Sequence, residues 1–157
     1  MSLKSWWRNT FSRTRWKDRS VLRSAQQLRA FARDFCPTAG SREVKIWEDF
    51  GPYRCLQKKD ILEIVAWAWA PGPEYDVDTF DCENFVRQLR ARFERWWREK
   101  SDLKGPLGLG DIWLQKKGHE NAHELLWFHD YDGNFIFIEG QSGKEWTGEI
   151  EKIYEIR

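Results

Sequence analysis

Three stretches of the chain repeat apolar residues at the spacing of an amphipathic α-helix. They run over residues 20–35, about 59–69, and 82 to about 100. Asp81 precedes the third stretch and is a good N-cap, so Cys82 is predicted to be the first residue inside that helix. The apolar positions of this longest helix are Phe85, Val86, Leu89, Phe93, Trp96 and Trp97.

Beyond residue 105 the pattern changes to short apolar runs, which are typical of β-strands. These runs cover 111–115, 123–129, 135–139 and 150–156, and a further short strand is predicted over 43–47. The middle two are apolar on both faces, which predicts a sheet covered on both sides. Because helices come first and an antiparallel sheet follows, the fold class predicted is α+β.

The hairpin between the two middle strands brings polar residues onto one face. Tyr131-Asp132-Gly133 fits a three-residue loop, a type I turn followed by a left-handed glycine. Side chains alternate along a strand, so this register places His123, Glu139 and Gln141 on one face, at the end away from the loop. A two-residue turn would instead put His123 and Glu139 on opposite faces.

Composition predicts a soluble globular protein. The 157 residues are 41% hydrophobic and 32% charged. This length is enough for one domain, predicted over 19–157, with a basic, aromatic arm over 1–18. Eleven tryptophans exceed what a core needs, so some are expected to line a groove or an interface. The sequence has no signal-peptide pattern, no apolar run long enough to span a membrane and no disulfide framework spacing, which predicts a cytoplasmic setting.

Charge is distributed unevenly although the net charge is only +1. Residues 1–35 hold nine Lys or Arg against two Asp, a balance of +7, so the remainder of the chain carries −6. Such a basic segment is typical of arms that bind nucleic acid or an anionic membrane. It can equally dock on the acidic body, an alternative favoured slightly by the arm's Trp6, Trp7, Phe11 and Trp16.

Cys82 carries the main chemical hypothesis. A thiol at a helix start lies at the positive end of the helix dipole, beside backbone N–H groups that can hold an oxyanion. His123 would take the thiol proton, Glu139 would hold the second ring nitrogen, and Gln141 would orient either partner or donate to an oxyanion. The sequence predicts a thiol triad with Asp81 and Gln141 as supporting residues, and no cofactor. In the alternative interpretation Cys82 is a buried structural residue, since it shares a helical face with apolar positions.

The order of these residues resembles the papain-like thiol enzymes, most closely their transglutaminase-like branch and its bacterial and phage relatives. The resemblance spans roughly residues 55–142, with Glu at the third triad position, where Asp or Asn is usual, and Gly where proline is common. It implies a papain-like fold and cysteine-dependent hydrolysis or acyl transfer at a peptide or protein amide. The matching segments are Asp81-Cys82-Glu83, Asn121-Ala122-His123, Tyr131-Asp132-Gly133 and Glu139-Gly140-Gln141.

Three other functions remain open at this point. An inactive domain of the same kind could bind a protein or carbohydrate partner through exposed tryptophans. The arm could bind nucleic acid, although no recognition motif accompanies its charge. A metal site is disfavoured, because His123 and His129 are six residues apart on one strand, about 20 Å by strand rise, and no Cys-x-x-Cys pair is present. The neighbouring candidate ligands are His119, Glu120 and Asp130.

Overall fold

The computed structural model describes residues 19–35, 52–69, 81–101, 103 and 105–157. The predicted arm over 1–18, the predicted strand over 43–47 and the third cysteine, Cys36, lie outside these residues. No helix in the described part of the chain is long and apolar enough to cross a membrane.

The three predicted helices are present as α1 (Ala25–Phe35), α2 (Lys58–Ala68) and α3 (Cys82–Lys100). Helix α3 begins where the sequence places it, because the Asp81 carboxylate accepts a hydrogen bond of 3.2 Å from the Asn84 backbone N–H. Cys82 is therefore the first residue of the helix, as predicted.

Helix α1 begins later than predicted, because Ser24 and not Ser20 caps it. The Ser24 hydroxyl accepts from the Gln27 N–H at 3.1 Å, and the Gln27 side-chain oxygen accepts from the Ser24 N–H at 2.8 Å. This reciprocal capping box fixes the helix start. The preceding residues instead form strand β1 (Ser20–Arg23), which pairs antiparallel with β2 (Tyr53–Leu56).

The predicted order, helices followed by a sheet, is therefore wrong for the first half of the chain, where strands and helices alternate. Both strands of the small sheet have four residues, too short to show a period of two in the sequence. Paired residues of the two strands are also 30 to 36 positions apart in the sequence, so no hairpin signal marks the pair.

The second half forms one antiparallel sheet in the order β6-β5-β4-β3-β7. Trp127 pairs with Phe137 and Leu126 with Ile138, which confirms the three-residue hairpin loop; Gly133 in that loop has the predicted positive φ, +100°. The strands are β3 (Leu109–Lys116), β4 (Ala122–His129), β5 (Phe135–Glu139), β6 (Lys144–Trp146) and β7 (Ile150–Ile156).

Both faces of this sheet are covered, as the doubly apolar strands predict. One face, which includes Leu126 and Phe128, packs against α2 and α3. The other face, which includes Leu125 and Trp127, packs against buried residues of α1. The predicted polar residues His123 and Glu139 belong by strand alternation to this second face.

The sheet is strongly curled. Strands β6 and β7 are its two edges, yet only residues 147–149 connect them. That connection spans at most about 14 Å, whereas the edges of a flat five-stranded sheet lie about 19 Å apart. The two edges must therefore approach each other, which leaves a gap on the face that carries His123 and Glu139.

Candidate functional site

Cys82 lies at the N-terminus of α3 and contacts the end of the sheet. Its residue is 9% exposed, and its side chain hydrogen-bonds to His123. The helix places the thiol at the positive end of its dipole, beside backbone N–H groups that have no partner within the helix. The local reason is the Asp81 cap, which sets the residue at which the helix begins.

His123 and Glu139 meet at the ends of β4 and β5. The His123 Nε2–H donates to Glu139 Oε2 at 2.7 Å, and both side chains are mostly buried. Since Glu139 holds Nε2, Nδ1 is the ring nitrogen left for the Cys82 thiol. The structure thus brings the three predicted residues into one chain of thiol, imidazole and carboxylate.

The electrostatics of this chain favour a charged imidazole. Burial on its own lowers the pKa of His123, but hydrogen bonds with Cys82 and Glu139 outweigh it and raise the pKa to about 9. Burial likewise works to raise the pKa of Glu139, yet His123 and Lys116 together hold it below its usual value. A protonated imidazole beside an ionised carboxylate is the state that stabilises a thiolate.

Lys116, at the end of β3, is a member of the site that the sequence reasoning missed. Its ammonium donates to Glu139 Oε2 at 3.1 Å, the same oxygen that His123 contacts. The ammonium also lies 5.8 Å from the centre of the Trp146 ring. Only the register of β3 against β4, set across the long turn over 117–121, would have revealed this contact.

Gly140 is the second missed member, and it explains how α3 comes so close. A Cβ at this position would lie 2.8 Å from the Val86 backbone nitrogen and 2.9 Å from the Phe85 carbonyl carbon. Real Cβ atoms essentially never approach backbone so closely, so a side chain here would push the first turn of α3 away. Glycine lets the helix start lie directly against the turn after β5, which keeps Cys82 within reach of His123.

The two predicted supporting residues, Asp81 and Gln141, differ in what the structure shows for them. Asp81 caps α3, as predicted. Gln141 is exposed, and its backbone carbonyl accepts a hydrogen bond of 3.3 Å from the Trp69 indole. Among the described residues no group of three or more His, Cys, Asp and Glu side chains is arranged to hold a metal ion.

Comparison with known proteins gives structural neighbours only. No family model matches the sequence, and no curated protein matches it at a significant level. A solved structure of Polyporus squamosus lectin bound to the human-type influenza-binding epitope Neu5Acα2-6Galβ1-4GlcNAc is similar, with a TM-score of 0.62, 21% identity and 81% of this chain covered. A structure described as a PSL1a–E64 complex is similar with a TM-score of 0.62, 20% identity and 80% coverage. The chain spans less than half the length of these neighbours, 45% and 46% of their chains.

These neighbours correct the predicted fold class. The papain-like or transglutaminase-like fold, inferred from the order of Cys82, His123 and Glu139, is wrong: the chain shares its mixed α/β fold, with a five-stranded antiparallel sheet, with part of a lectin. Three residues in a given order do not specify a fold, because the same constellation recurs on unrelated architectures.

Proposed function

We propose that the chain is a cysteine-dependent acyl transferase or hydrolase that acts on an amide. The hydrogen-bonded sequence of Cys82, His123 and Glu139 at a helix N-terminus carries this proposal. The resemblance to papain-like thiol enzymes enters only as a proposal about chemistry, since the order of nucleophile, base and acid is the same while the fold is not.

The proposed reaction has two halves. His123 accepts the Cys82 proton, and the thiolate attacks the amide carbonyl to form a tetrahedral oxyanion. Backbone N–H groups at the start of α3 are the available donors to that oxygen. His123 then gives its proton to the leaving amine as the C–N bond breaks, which leaves a thioester on Cys82. Water or a second amine attacks the thioester, and His123 carries the proton back to the sulfur.

Glu139 and Lys116 support this cycle. Glu139 fixes the ring orientation of His123 and stabilises its cationic form. Lys116 keeps the carboxylate ionised and restrains the oxygen that His123 contacts. A mostly buried carboxylate with two cationic partners is thereby held in one geometry.

The direct test uses E64, whose epoxide is opened by a thiolate. The full-length chain is incubated with E64 at pH 7, digested, and analysed by mass spectrometry. We expect one adduct, on Cys82, that disappears in Cys82→Ala and forms much more slowly in His123→Ala. Cys55→Ala is the matched control and should label normally. New amino termini in casein, absent with Cys82→Ala, would establish turnover, whereas an unlabelled Cys82 would overturn the proposal.

A second candidate function is carbohydrate recognition, which the comparison with Polyporus squamosus lectin favours. In this interpretation the thiol site is inactive, and exposed tryptophans stack on sugar rings. Trp67 on α2 is 48% exposed and is the most exposed tryptophan of the described residues. A flat, amphipathic indole at the surface suits a sugar face.

Glycan binding separates the two candidates. The full-length chain is titrated with Neu5Acα2-6Galβ1-4GlcNAc, the oligosaccharide bound by the lectin neighbour. Carbohydrate recognition predicts saturable binding that Trp67→Ala weakens and Cys82→Ala leaves unchanged. The absence of glycan binding, together with an E64 adduct on Cys82, would support the thiol function and argue against carbohydrate recognition.

A further inference from the structure

The gap between the two edges of the curled sheet forms a pocket of about 530 Å³. Side chains from β5, β6 and β7 line it, and the last residue of α1 closes one side. Such a volume lies within the range of small-ligand sites. The apolar walls of the pocket include Phe35, Phe137, Trp146, Ile150 and Ile153.

This pocket adjoins the thiol site, since residues of its lining neighbour Glu139 and Lys116. Phe137 lies two residues before Glu139 on the same face of β5, so the two side chains are about 7 Å apart. Lys116 links the opposite wall of the pocket to the thiol site, because its ammonium contacts both Glu139 and the Trp146 ring. In space, Cys82 is therefore followed by His123, then by Glu139 with Lys116, and finally by the aromatic wall of the pocket.

This order decides which part of a substrate would reach the pocket. In thiol acyl transfer the acyl part stays on the sulfur, beside the start of α3. The leaving amine receives its proton from the imidazole and so lies on the His123 side. The pocket lies beyond Glu139, on the leaving-group side of the scissile bond.

We propose that this pocket binds a bulky apolar side chain of the substrate peptide, two or three residues beyond the scissile amide on the leaving-group side. This inference rests on the proposed thiol function. The aromatic wall begins roughly 10 Å from the imidazole, which an extended chain covers in about three residues. Phe137 and Trp146 contact each other edge to face with centroids 6.2 Å apart, and such rigid rings bind apolar groups at little entropic cost.

The charges around the pocket disfavour an acidic side chain. Its lining holds two acids, Glu145 and Glu151, and one base, Lys152. A carboxylate bound among the rings would lose hydration where acids outnumber the base. The expected preference is therefore aromatic or large aliphatic, with glycine and glutamate bound more weakly.

Binding can be tested without catalysis in ¹⁵N-labelled full-length Cys82→Ala protein. Glycyl-glycyl-phenylalaninamide mimics a leaving-group peptide with Phe at the third position and is titrated while indole N–H resonances are followed by NMR, with the Trp146 signal assigned from Trp146→Phe. We expect a saturable shift of the Trp146 signal, weakened severalfold by Phe35→Ala, and a much weaker response to triglycinamide or to the matching peptide with Glu at the third position. Trp67 is the internal control, because it is exposed but lies on α2.

The outcomes separate this inference from the proposed function. A Trp146 signal that does not saturate, or that moves together with Trp67, overturns the pocket whether or not Cys82 reacts with E64. A saturable shift supports it as a binding site even if Cys82 is inert. In active protein, Phe35→Ala should raise KM for peptides with Phe at this position more than for peptides with Gly, while kcat for both stays similar. An equal loss for the two peptides would overturn the assignment.

Discussion

Strand β4 carries a histidine at each end, and each lies close to a cysteine. His123 hydrogen-bonds to Cys82 at one end. His129 lies at the other end, where a Cβ on Gly108 would meet both Cys55 Sγ and the His129 Cβ. The first pair has a raised imidazole pKa of about 9, whereas burial lowers the pKa of His129 to about 4. Burial also raises the pKa of the Cys55 thiol to about 12.

The partners of each histidine explain the difference in pKa. Glu139 gives its carboxylate to His123, so the imidazole has a partner for its proton. Asp130 follows His129 in sequence, but its carboxylate accepts from the Asn134 backbone N–H at 2.7 Å and so stabilises the hairpin loop. The His129 ring packs against Phe31 and Phe135, no side chain bonds either of its nitrogens among the described residues, and the Arg23 cation also lowers its pKa. A cysteine close to a histidine is therefore insufficient. Hydrogen bonds with Cys82 and Glu139 favour a charged imidazole at His123, whereas burial and Arg23 disfavour one at His129.

The largest effect should follow loss of the imidazole beside Cys82. His123→Ala removes the group proposed to take the thiol proton, so Cys82-dependent amide turnover should fall by on the order of 10²- to 10⁴-fold. The measurement is kcat/KM on a cleaved casein-derived peptide. Cys55→Ala, the matched change at the inert end, should retain wild-type turnover; equal losses in both variants would remove the distinction between the pairs.

Gly140→Ala should have the next largest effect. The added Cβ would meet the Phe85 and Val86 backbone, so the first turn of α3 must move away from His123. A displacement of about 1 Å at a catalytic group costs on the order of 100-fold in rate. Turnover and the rate of E64 labelling should fall together while circular dichroism shows a folded protein, and unchanged labelling would show that the close approach is unimportant.

Glu139→Gln should reduce turnover on the order of 10- to 100-fold, the value of one hydrogen bond to a charged group. The amide keeps the geometry but cannot stabilise the imidazolium, so the His123 pKa should fall below about 9. The alkaline limb of the turnover profile, which reflects loss of the imidazolium proton, should then move to lower pH. Lys116→Met is the control, because it keeps the Glu139 carboxylate and should move the alkaline limb little. An alkaline limb that does not shift in Glu139→Gln would contradict the role proposed for the carboxylate.

The smallest effect on turnover is expected at His129. His129→Leu should leave it near wild type but change the response of stability to acid. The folded-state pKa of His129 is about 4, below the ordinary value of 6.5, so the unfolded chain binds its proton first. The free energy of unfolding should therefore have its full value above pH 6.5 and should decrease as the pH falls toward 4. The decrease due to His129 is on the order of 3 kcal/mol. Urea unfolding of wild type should show this loss and His129→Leu should not; parallel curves would show that His129 does not titrate in this range.

Local patterns predicted the positions of Cys82, His123 and Glu139 because the determinants of those positions are local. The Asp81 cap set the start of α3, and the turn residues up to Gly133 set the hairpin register, so the side on which His123 and Glu139 lie followed. The small sheet and the Lys116 contact were missed because they join residues distant in sequence. The fold class was wrong because residue order does not determine how the remaining elements pack.

Site-resolved alkylation of the native full-length chain measures directly whether His123 activates Cys82. Iodoacetamide is added at pH 6, 7 and 8, and the modified fractions of Cys82 and Cys55 are followed by mass spectrometry, with His123→Ala in parallel. We predict that Cys82 reacts at least tenfold faster than Cys55 at pH 7, that His123→Ala slows Cys82 severalfold, and that Cys55 reacts appreciably only after unfolding. Equal rates for the two cysteines, or a Cys82 rate that does not depend on His123, would contradict this activation.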